Sequence, residues 1–200
     1  MNWEGKWATD QGIWTYTAGL RTQYAALNGE LRISPRLRLF YKPNEQGRTF
    51  SIAAGLYDQY PFYREMRQKD GTLQTEVQSQ NALHLTARSD KDFELWGRPF
   101  VWSFETYYKD LNRVNLYDIE NVRIRYAATN NAMGRIYGFD SRINGEFVQG
   151  TDSWFTFSLF KAEERSLDDF VQGWFPRPTD TRFNFAVYFQ DYLPNDPSTR

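Results

Sequence analysis

Three stretches between Arg98 and Phe189 alternate strictly between bulky residues and polar or charged ones. Successive side chains of a β-strand point to opposite faces of a sheet, so this period of two predicts strands rather than helices. Each stretch is about ten residues or longer, whereas strands usually have about 5–6 residues. Long strands with one aromatic face and one charged face are typical of transmembrane β-barrels. The positions on the aromatic face are Phe100, Trp102, Phe104, Thr106 and Tyr108, then Tyr137, Phe139, Ser141 and Ile143, then Phe183, Phe185, Val187 and Phe189.

The same alternation continues in the rest of the chain and predicts an all-β fold, an antiparallel up-and-down meander of about eight long strands. Asn28-Gly29 predicts a tight turn after the first strand, because both residues tolerate a positive φ. Residues 1–11 are expected to lead into the first strand, and residues 1–200 are expected to form one domain, part of a transmembrane β-barrel. The strands are expected at residues 13–25, 30–42, 48–58, 75–88, 98–112, 134–148, 153–163 and 181–192.

The connections between these strands have two lengths, which alternate along the chain. Those after the third, fifth and seventh strands are long, and those after the second, fourth and sixth strands are short. Outer-membrane barrels have long loops outside the cell and short turns in the periplasm. The spacing therefore predicts exterior loops at residues 59–74, 113–133 and 164–180.

Composition argues against several other classes of protein. The net charge is −1, so no basic surface indicates nucleic acid as a partner. No apolar run approaches the roughly 18 residues that a membrane-spanning helix needs. Cysteine is absent and His84 is the only histidine, so a disulfide framework and a zinc site with several imidazoles are excluded, and no cofactor is expected. Aromatic residues form 18% of the chain, which fits interfacial girdles in a membrane or stacking platforms for sugars.

Two groups of residues are candidates for a functional role, and neither is expected to be catalytic or metal-binding. Aromatic and arginine side chains on a loop can anchor a ligand. The first long loop carries such residues at Tyr60, Phe62, Tyr63 and Arg64. Charged residues on the polar side of the strands are expected to face the lumen of a barrel, and these are Arg21, Arg36, Arg38, Glu105, Lys109, Asp140, Arg142 and Glu146.

Three of these positions and His84 also have other interpretations. A glycoside hydrolase pairs two carboxylates across a cleft, and the candidates for such a pair are Glu105, Asp140 and Glu146. His84 is alternatively a ligand or a pH switch. We favour carboxylates that balance nearby arginines and an ordinary histidine on the polar side, and so expect that the protein is not an enzyme.

A series of short motifs covers residues 13 to 194. They are Gly19-Leu20-Arg21, Ser34-Pro35-Arg36-Leu37, Gly55-Leu56-Tyr57-Asp58-Gln59-Tyr60-Pro61-Phe62, Glu105, Tyr107-Tyr108-Lys109-Asp110-Leu111, Gly138-Phe139-Asp140, Gly145-Glu146-Phe147, Gly150, Ser153-Trp154, Pro178-Thr179-Asp180 and Phe189-Gln190-Asp191-Tyr192-Leu193-Pro194. Each motif alone is weakly specific. Their order and spacing together resemble the C-terminal β-barrel of TonB-dependent outer-membrane receptors of the Bacteroidota-like type.

This resemblance implies a barrel of about 22 strands with a plugged lumen. It also implies active import of a scarce nutrient such as a metal chelate, a cofactor or a glycan. The sequence lacks a plug domain, an N-terminal energy-coupling box, an export signal and a terminal aromatic residue, so we expect a fragment of the barrel wall in the bacterial outer membrane. The expected partners are outer-membrane lipid and, in the full-length receptor, the plug domain, the inner-membrane energy-coupling complex and a small nutrient ligand.

Two alternative architectures fit the same alternation. About eight strands can close into a small barrel with a filled interior instead of forming an open arc of a larger barrel. A soluble, aromatic-rich β-sandwich that binds carbohydrate would bring the apolar faces together across a core about 10 Å thick. Solvent exposure of Phe183, Phe185 and Phe189 would favour a membrane protein, and burial against a second sheet would favour the sandwich.

Overall fold

A computed structural model of the protein describes residues 1–44, 47–168 and 173–191. Within these ranges the chain is built from strands, and its helical structure is one 3-10 turn at Tyr63–Met66. No helix in the described part of the chain is long and apolar enough to cross a membrane. The strands are β1 (Asn2–Thr9), β2 (Gly12–Ala25), β3 (Glu30–Pro43), β4 (Arg48–Gln59), β5 (Gln80–Leu95), β6 (Arg98–Val114), β7 (Tyr117–Glu120), β8 (Arg123–Tyr126), β9 (Ala132–Gly145), β10 (Ser153–Ser166), β11 (Phe175–Pro176) and β12 (Phe183–Tyr188).

The strands form one antiparallel sheet in which neighbours in space are mostly neighbours in the chain. β1 to β6 follow one another in order, β9 then pairs with β6, and β10 pairs with β9. β11 and β12 pair with different parts of β10, while β7 and β8 form a separate hairpin. Among the described residues, β1 pairs only with β2 and β12 only with β10, so the sheet stays open. The predicted meander is confirmed, and the alternative of a small closed barrel is wrong.

The register of the sheet separates the alternating residues onto two faces. Directly paired residues share a face, and Trp14, Tyr41 and Phe50 follow one another across β2, β3 and β4. The residues at the alternate positions of each strand point to the opposite face of the sheet, as where Thr17 pairs with Arg38. We call these surfaces the apolar face and the polar face. The alternation predicted for the first two long runs is confirmed by the pairing of β6, β9 and β10. In the third run, which was expected to form a strand at 181–192, the strand covers only β12 and ends before Phe189.

The first strand lies in residues that were expected only to lead into the fold. β1 pairs with β2 along its whole length, and the rings of Trp7 and Trp14 stack with their centroids 6.1 Å apart. The N-terminal ammonium group also donates to the carbonyl of Leu20 at 3.0 Å. The spacing of Trp3, Gly5 and Trp7 has the correct period, but glycine weakens a short strand. Pairing with β2, which is not visible in the local sequence, therefore determines this element.

β5 begins and ends later than the sequence predicts, at Gln80–Leu95 instead of 75–88. The charged segment that resembles a turn remains extended and pairs with β6, and one of its carboxylates has a charged partner on the polar face. The guanidinium of Arg88 donates to the carboxylate of Asp90 at 2.7 Å. The turn to β6 is instead Trp96-Gly97, where both residues have a positive φ.

The connections are sorted by length between the two ends of the sheet, as the sequence predicts. One end carries the short connections from β1 to β2, from β3 to β4, from β5 to β6 and from β9 to β10. The other end, which we call the loop end, carries the turn 26–29 and the long connections 60–79, 115–131 and 167–182. Apart from the turn 26–29, long and short connections therefore lie at opposite ends of the same strands.

The sheet encloses little hydrophobic core. The buried apolar residues that cluster are Met66, Val77 and Ala128, and all three belong to connections at the loop end. The chain exposes 13607 Å², whereas a compact monomer of 23.7 kDa exposes about 9,800 Å² by the usual scaling. Domains normally bury a core between two packed layers. In the described residues the large sheet is a single layer, and its bulky side chains are not covered by a second one.

Candidate functional site

The apolar face is a continuous hydrophobic surface that crosses the sheet from β1 to β12. Neighbouring rings contact one another across strands: the centroids of Trp14 and Tyr41 are 4.3 Å apart, and Phe104 and Phe139 are 5.5 Å apart. Phe183 is 68% exposed. An exposed apolar surface of this extent indicates contact with another molecule or with an apolar phase. Other exposed residues on this face are Trp3, Trp7, Tyr16, Leu20, Tyr24, Leu31, Ile33, Leu37, Phe50, Ile52, Leu85, Trp102, Tyr108, Tyr137, Leu159, Phe185 and Val187.

A cluster of charges borders this apolar band on the side of the loop end. The guanidinium of Arg135 on β9 donates to the carboxylate of Glu163 on β10 at 2.8 Å. The ammonium of Lys161 lies 2.5 Å from the same carboxylate. The Arg135 guanidinium also lies over the ring of Trp174, 4.2 Å from its centroid. The hydrophobic surface therefore ends at a border of charges in which two cations share one carboxylate.

The polar face carries seven of the eight charged candidates. Glu105 and Asp140 are paired directly across β6 and β9, and the guanidinium of Arg88 lies 3.8 Å from Glu105. The guanidinium of Arg142 lies over the ring of Trp154, 4.9 Å from its centroid. Neighbouring strands and aromatic rings therefore supply partners for part of the charge on this face. The seven residues are Arg21, Arg36, Arg38, Glu105, Lys109, Asp140 and Arg142.

The eighth candidate, Glu146, lies in the short turn that connects β9 to β10. The sequence predicts a strand that continues to residue 148, but β9 ends at Gly145. A side chain at Gly145 would meet the ring of Phe100 at 2.5 Å and the carbonyl of Pro99 at 2.6 Å. The backbone turns after this close approach to β6. The carboxylate of Glu146 then accepts a hydrogen bond from the N–H of Gly150 at 3.2 Å and so shapes the turn.

The four candidates on the first long loop differ in exposure. Tyr60 is half-buried, and its hydroxyl donates to the carbonyl of Glu30 at 3.3 Å. Phe62 and Tyr63 lie at the start of the 3-10 turn and are 58% and 66% exposed. Arg64 is exposed, with its guanidinium 6.0 Å from the centroid of an aromatic ring on β8. Tyr60 thus holds the loop to β3, while Phe62 and Tyr63 are accessible from outside.

Hydrogen bonds from a few side chains join the long connections at the loop end. The carboxylate of Glu30 accepts bonds from the N–H and the hydroxyl of Ser79, at 2.9 and 2.5 Å. The side chain of Asn130 donates to the carbonyl of Gln78 at 3.0 Å and accepts from its N–H at 2.7 Å. Asn130 also donates to the carbonyl of Arg113 near the end of β6, at 2.8 Å. The first two long connections are therefore fastened to each other and to the sheet.

The polar face contains a cavity of about 570 Å³ near these loops, which we call the arginine pocket. It is lined by Arg21, Arg36, Tyr57, His84 and Arg177, among others. The rings of Tyr57 and His84 stack with centroids 4.3 Å apart, and the guanidinium of Arg36 lies 4.2 Å from the Tyr57 centroid. Sequence reasoning identifies Arg21 and Arg36 but not Arg177. Arg177 lies between two prolines in an irregular connection, so no periodic signal marks its position.

The carboxylates and the histidine lack the features of a hydrolytic or metal site. Of the three carboxylates considered, the fold brings together Glu105 and Asp140 but not Glu146. A glycosidase needs one acid that burial keeps protonated, and both paired carboxylates are only half-buried. His84 stacks on a tyrosine ring. Within the described ranges, no group of three or more His, Asp and Glu side chains is placed to hold a metal ion.

Comparison with known proteins does not assign the chain to a family. No protein-family model matches it, and no curated protein or solved structure is detectably similar to it. The resemblance to TonB-dependent receptors therefore rests on the sequence motifs alone.

Proposed function

We propose that the chain is part of the wall of an outer-membrane β-barrel, a segment of a receptor that in its complete form imports a scarce nutrient. The nutrient classes are those that the sequence resemblance implies: a metal chelate, a cofactor or a glycan. The observation that carries the proposal is the two-sidedness of a single-layer sheet, with exposed bulky side chains on one face and charged groups on the other. A bilayer on one side and water on the other satisfies both faces.

The height of the apolar band supports contact with a bilayer. On β2 the band extends from Trp14 to Tyr24, which is about 33 Å at a rise of roughly 3.3 Å per residue. A tilt of about 45° projects this length to about 23 Å along the bilayer normal. Outer-membrane barrels have an apolar band of about 25 Å. The charged border formed by Arg135, Lys161 and Glu163 then lies at the level of the lipid headgroups.

The polar face is the lumen side of the wall in this proposal. Its arginines, lysine and carboxylates contact water or the plug domain instead of hydrocarbon. The loop end faces the cell exterior, because outer-membrane barrels carry their long loops there. Phe62 and Tyr63, both exposed on the first long loop, would then be among the first side chains that a nutrient meets.

The open edges of the sheet require further strands in a membrane. β1 and β12 each have one side without a partner among the described residues. An unpaired N–H or C=O group in hydrocarbon costs several kcal/mol, so an edge cannot face lipid. Additional strands of the complete receptor, in a barrel of about 22 strands, would pair with both edges.

The alternative of a soluble carbohydrate-binding sandwich needs a second sheet about 10 Å above the apolar face. No described strand occupies that place, because the separate β7–β8 hairpin belongs to a connection at the loop end. The rings that the sandwich would bury are exposed, as is Phe183. The membrane proposal requires no additional protein layer on this face, so we prefer it.

Two single-tryptophan variants in lipid vesicles test the proposal. One keeps Trp102, which lies on the apolar face and is 43% exposed, and the other keeps Trp154 on the polar face. The remaining tryptophans are replaced by phenylalanine, and the chain is refolded into phosphatidylcholine vesicles with brominated acyl chains. Bromine quenches indole fluorescence only at contact. We expect strong quenching of Trp102 and little quenching of Trp154.

Aqueous acrylamide serves as the matched control, and we expect it to quench Trp154 more than Trp102. Equal quenching of the two variants by brominated lipid would contradict the proposal. So would a chain that is folded and monomeric in plain buffer without detergent or lipid.

A further inference from the structure

We infer that the arginine pocket binds a small organic anion that carries carboxylate or phosphate groups. This inference deepens the proposed function and rests on it for one point, the assignment of the polar face to the lumen. Binding itself requires only the folded sheet. The argument has four parts: the charge of the pocket, its unpaired polar atoms, the way Arg36 is held, and the size of the cavity.

The pocket has an excess of positive charge. Arg21 and Arg36 form no ion pair within the described residues, and Arg177 is 3.5 Å from the carboxylate of Glu164. Asp58, which also lines the cavity, is 3.9 Å from the guanidinium of Arg32, a residue outside the pocket. Both carboxylates therefore already have partners. Two guanidinium groups remain without a counter-charge, and an anion in the cavity would supply it.

Two residues that line the cavity each have a buried polar atom without a hydrogen-bond partner. These atoms are Oε1 of Gln23 and Nε of Arg36. Buried polar groups in folded proteins are almost always paired, so each unpaired atom requires an explanation. One of the two is a guanidinium N–H donor. Carboxylate and phosphate oxygens pair with such donors in a bidentate geometry, which matches the missing partner.

Gly55 leaves space for the side chain of Arg36 at the pocket. A Cβ atom at Gly55 would be 3.1 Å from Cγ of Arg36 and 3.1 Å from a ring carbon of Tyr57. Because that space is empty, the Arg36 side chain passes close to the sheet and stacks beside Tyr57. Stacking on an aromatic face restricts the guanidinium and leaves its N–H edge free to bind. The pocket therefore presents this donor group before any ligand arrives.

The cavity has the size of a site for a small organic molecule. Its volume of about 570 Å³ lies within the range of roughly 300–1,000 Å³ for such sites. The stacked rings of Tyr57 and His84 form an aromatic wall beside the arginines. A ligand with an organic frame and anionic groups uses both parts of this lining, whereas a halide ion would use only the charge.

Calorimetric titration of the chain in dodecyl-maltoside micelles tests this inference with citrate and pyrophosphate, and with neutral raffinose as a comparison. We expect at least one of the two anions to bind and raffinose not to bind. Arg36→Gln should weaken anion binding about 10-fold or more, because charge-assisted hydrogen bonds are lost. Arg38→Gln is the matched control, since Arg38 lies two positions away on the same face of β3 but outside the pocket. It should weaken binding less than about twofold.

Equal weakening by the two substitutions would indicate diffuse attraction to the polar face and would overturn the inference. Absence of binding of both anions at millimolar concentration would also overturn it. Far-UV circular dichroism verifies that each variant is folded, and Arg21→Gln provides the same test if Arg36→Gln does not fold. The two proposals fail separately: anion binding with the expected variant pattern but no quenching of Trp102 by brominated lipid would remove only the membrane proposal.

Discussion

The two faces of the sheet depend on different kinds of interaction. On the apolar face, rings and aliphatic side chains touch neighbours of the same kind, as Trp14 touches Tyr41. On the polar face and at the loop end, particular atoms are matched, as where Glu30 accepts two bonds from Ser79. The apolar face therefore depends on general apolar character, and many different apolar residues would serve equally well there. The polar face and the loop end depend on bonds between particular atoms, so the identity of single residues matters there.

The largest expected effect comes from placing a charge on the apolar face. Ile52 is 57% exposed, and in a soluble protein the change Ile52→Arg would alter stability by about 0.5 kcal/mol or less. On a strand that faces lipid, the same change costs about 2–4 kcal/mol. We expect Ile52→Arg to lower the free energy of unfolding in phosphatidylcholine vesicles by this larger amount, as measured by urea titration of tryptophan fluorescence.

Thr49→Arg is the matched control on the polar face of the same strand, beside Asp90, to which the Thr49 hydroxyl donates at 3.4 Å. It should change the free energy of unfolding by about 0.5 kcal/mol or less. If Ile52→Arg were as stable as the unmodified chain, the apolar face would not contact hydrocarbon. The contrast between the two faces would then lose its functional meaning.

The next effect concerns the hydrogen bonds at the loop end. The side chain of Glu30 is 11% exposed, and its carboxylate joins β3 to the first long connection. Glu30→Ala should lower the free energy of unfolding by about 1.5–3 kcal/mol, the usual contribution of a buried hydrogen bond to a charged group. Release of the connection should also make the peptide bonds after Arg67 and Lys69 sensitive to trypsin.

Glu30→Gln is the control, because it keeps an oxygen that accepts from Ser79 while it removes the charge. It should retain more of the stability and most of the resistance to trypsin. A connection that stays resistant in Glu30→Ala would mean that the other bonds at the loop end are sufficient to hold it.

The large features of this fold were predictable because they depend on local periodicity. Alternation fixes which side of a strand a residue occupies, so the two faces followed from the sequence. The sorting of loop lengths followed from the spacing of the alternating runs. Neither inference requires knowledge of which strands are neighbours.

The features that were missed depend on contacts between distant parts of the chain. β1 is a strand because Trp7 and its neighbours pair with β2. Glu146 leaves the polar face because β9 stops at the close contact of Gly145 with β6. Arg177 reaches the pocket from an irregular connection more than one hundred residues away from Arg36 in the sequence. No local pattern contains this information.

A smaller effect is expected from a change beside Arg36 on the polar face. In Gly55→Ala, the added Cβ requires Arg36 or Tyr57 to move by a few tenths of an ångström. We expect citrate to bind about threefold more weakly, with little change in the free energy of unfolding. Ala53→Ser adds one atom on the same face of β4 outside the pocket and should leave binding unchanged. Unchanged binding in Gly55→Ala as well would mean that the stacked position of Arg36 is not needed.

The smallest effect is expected where a specific contact is exposed. Lys69 forms an ion pair with Asp118, but their side chains are 61% and 69% exposed. Exposed ion pairs contribute little to stability, so Lys69→Gln should leave the midpoint of urea unfolding unchanged. The carboxylate of Asp118 raises the pKa of Lys69. Any contribution of the pair is therefore fully present below the ordinary lysine pKa of about 10.4 and is lost only as the pH rises through the raised value. If Lys69→Gln lowered the free energy of unfolding as much as Glu30→Ala, the burial of a polar contact would not determine its contribution. The number of contacts would then distinguish the polar face and the loop end from the apolar face.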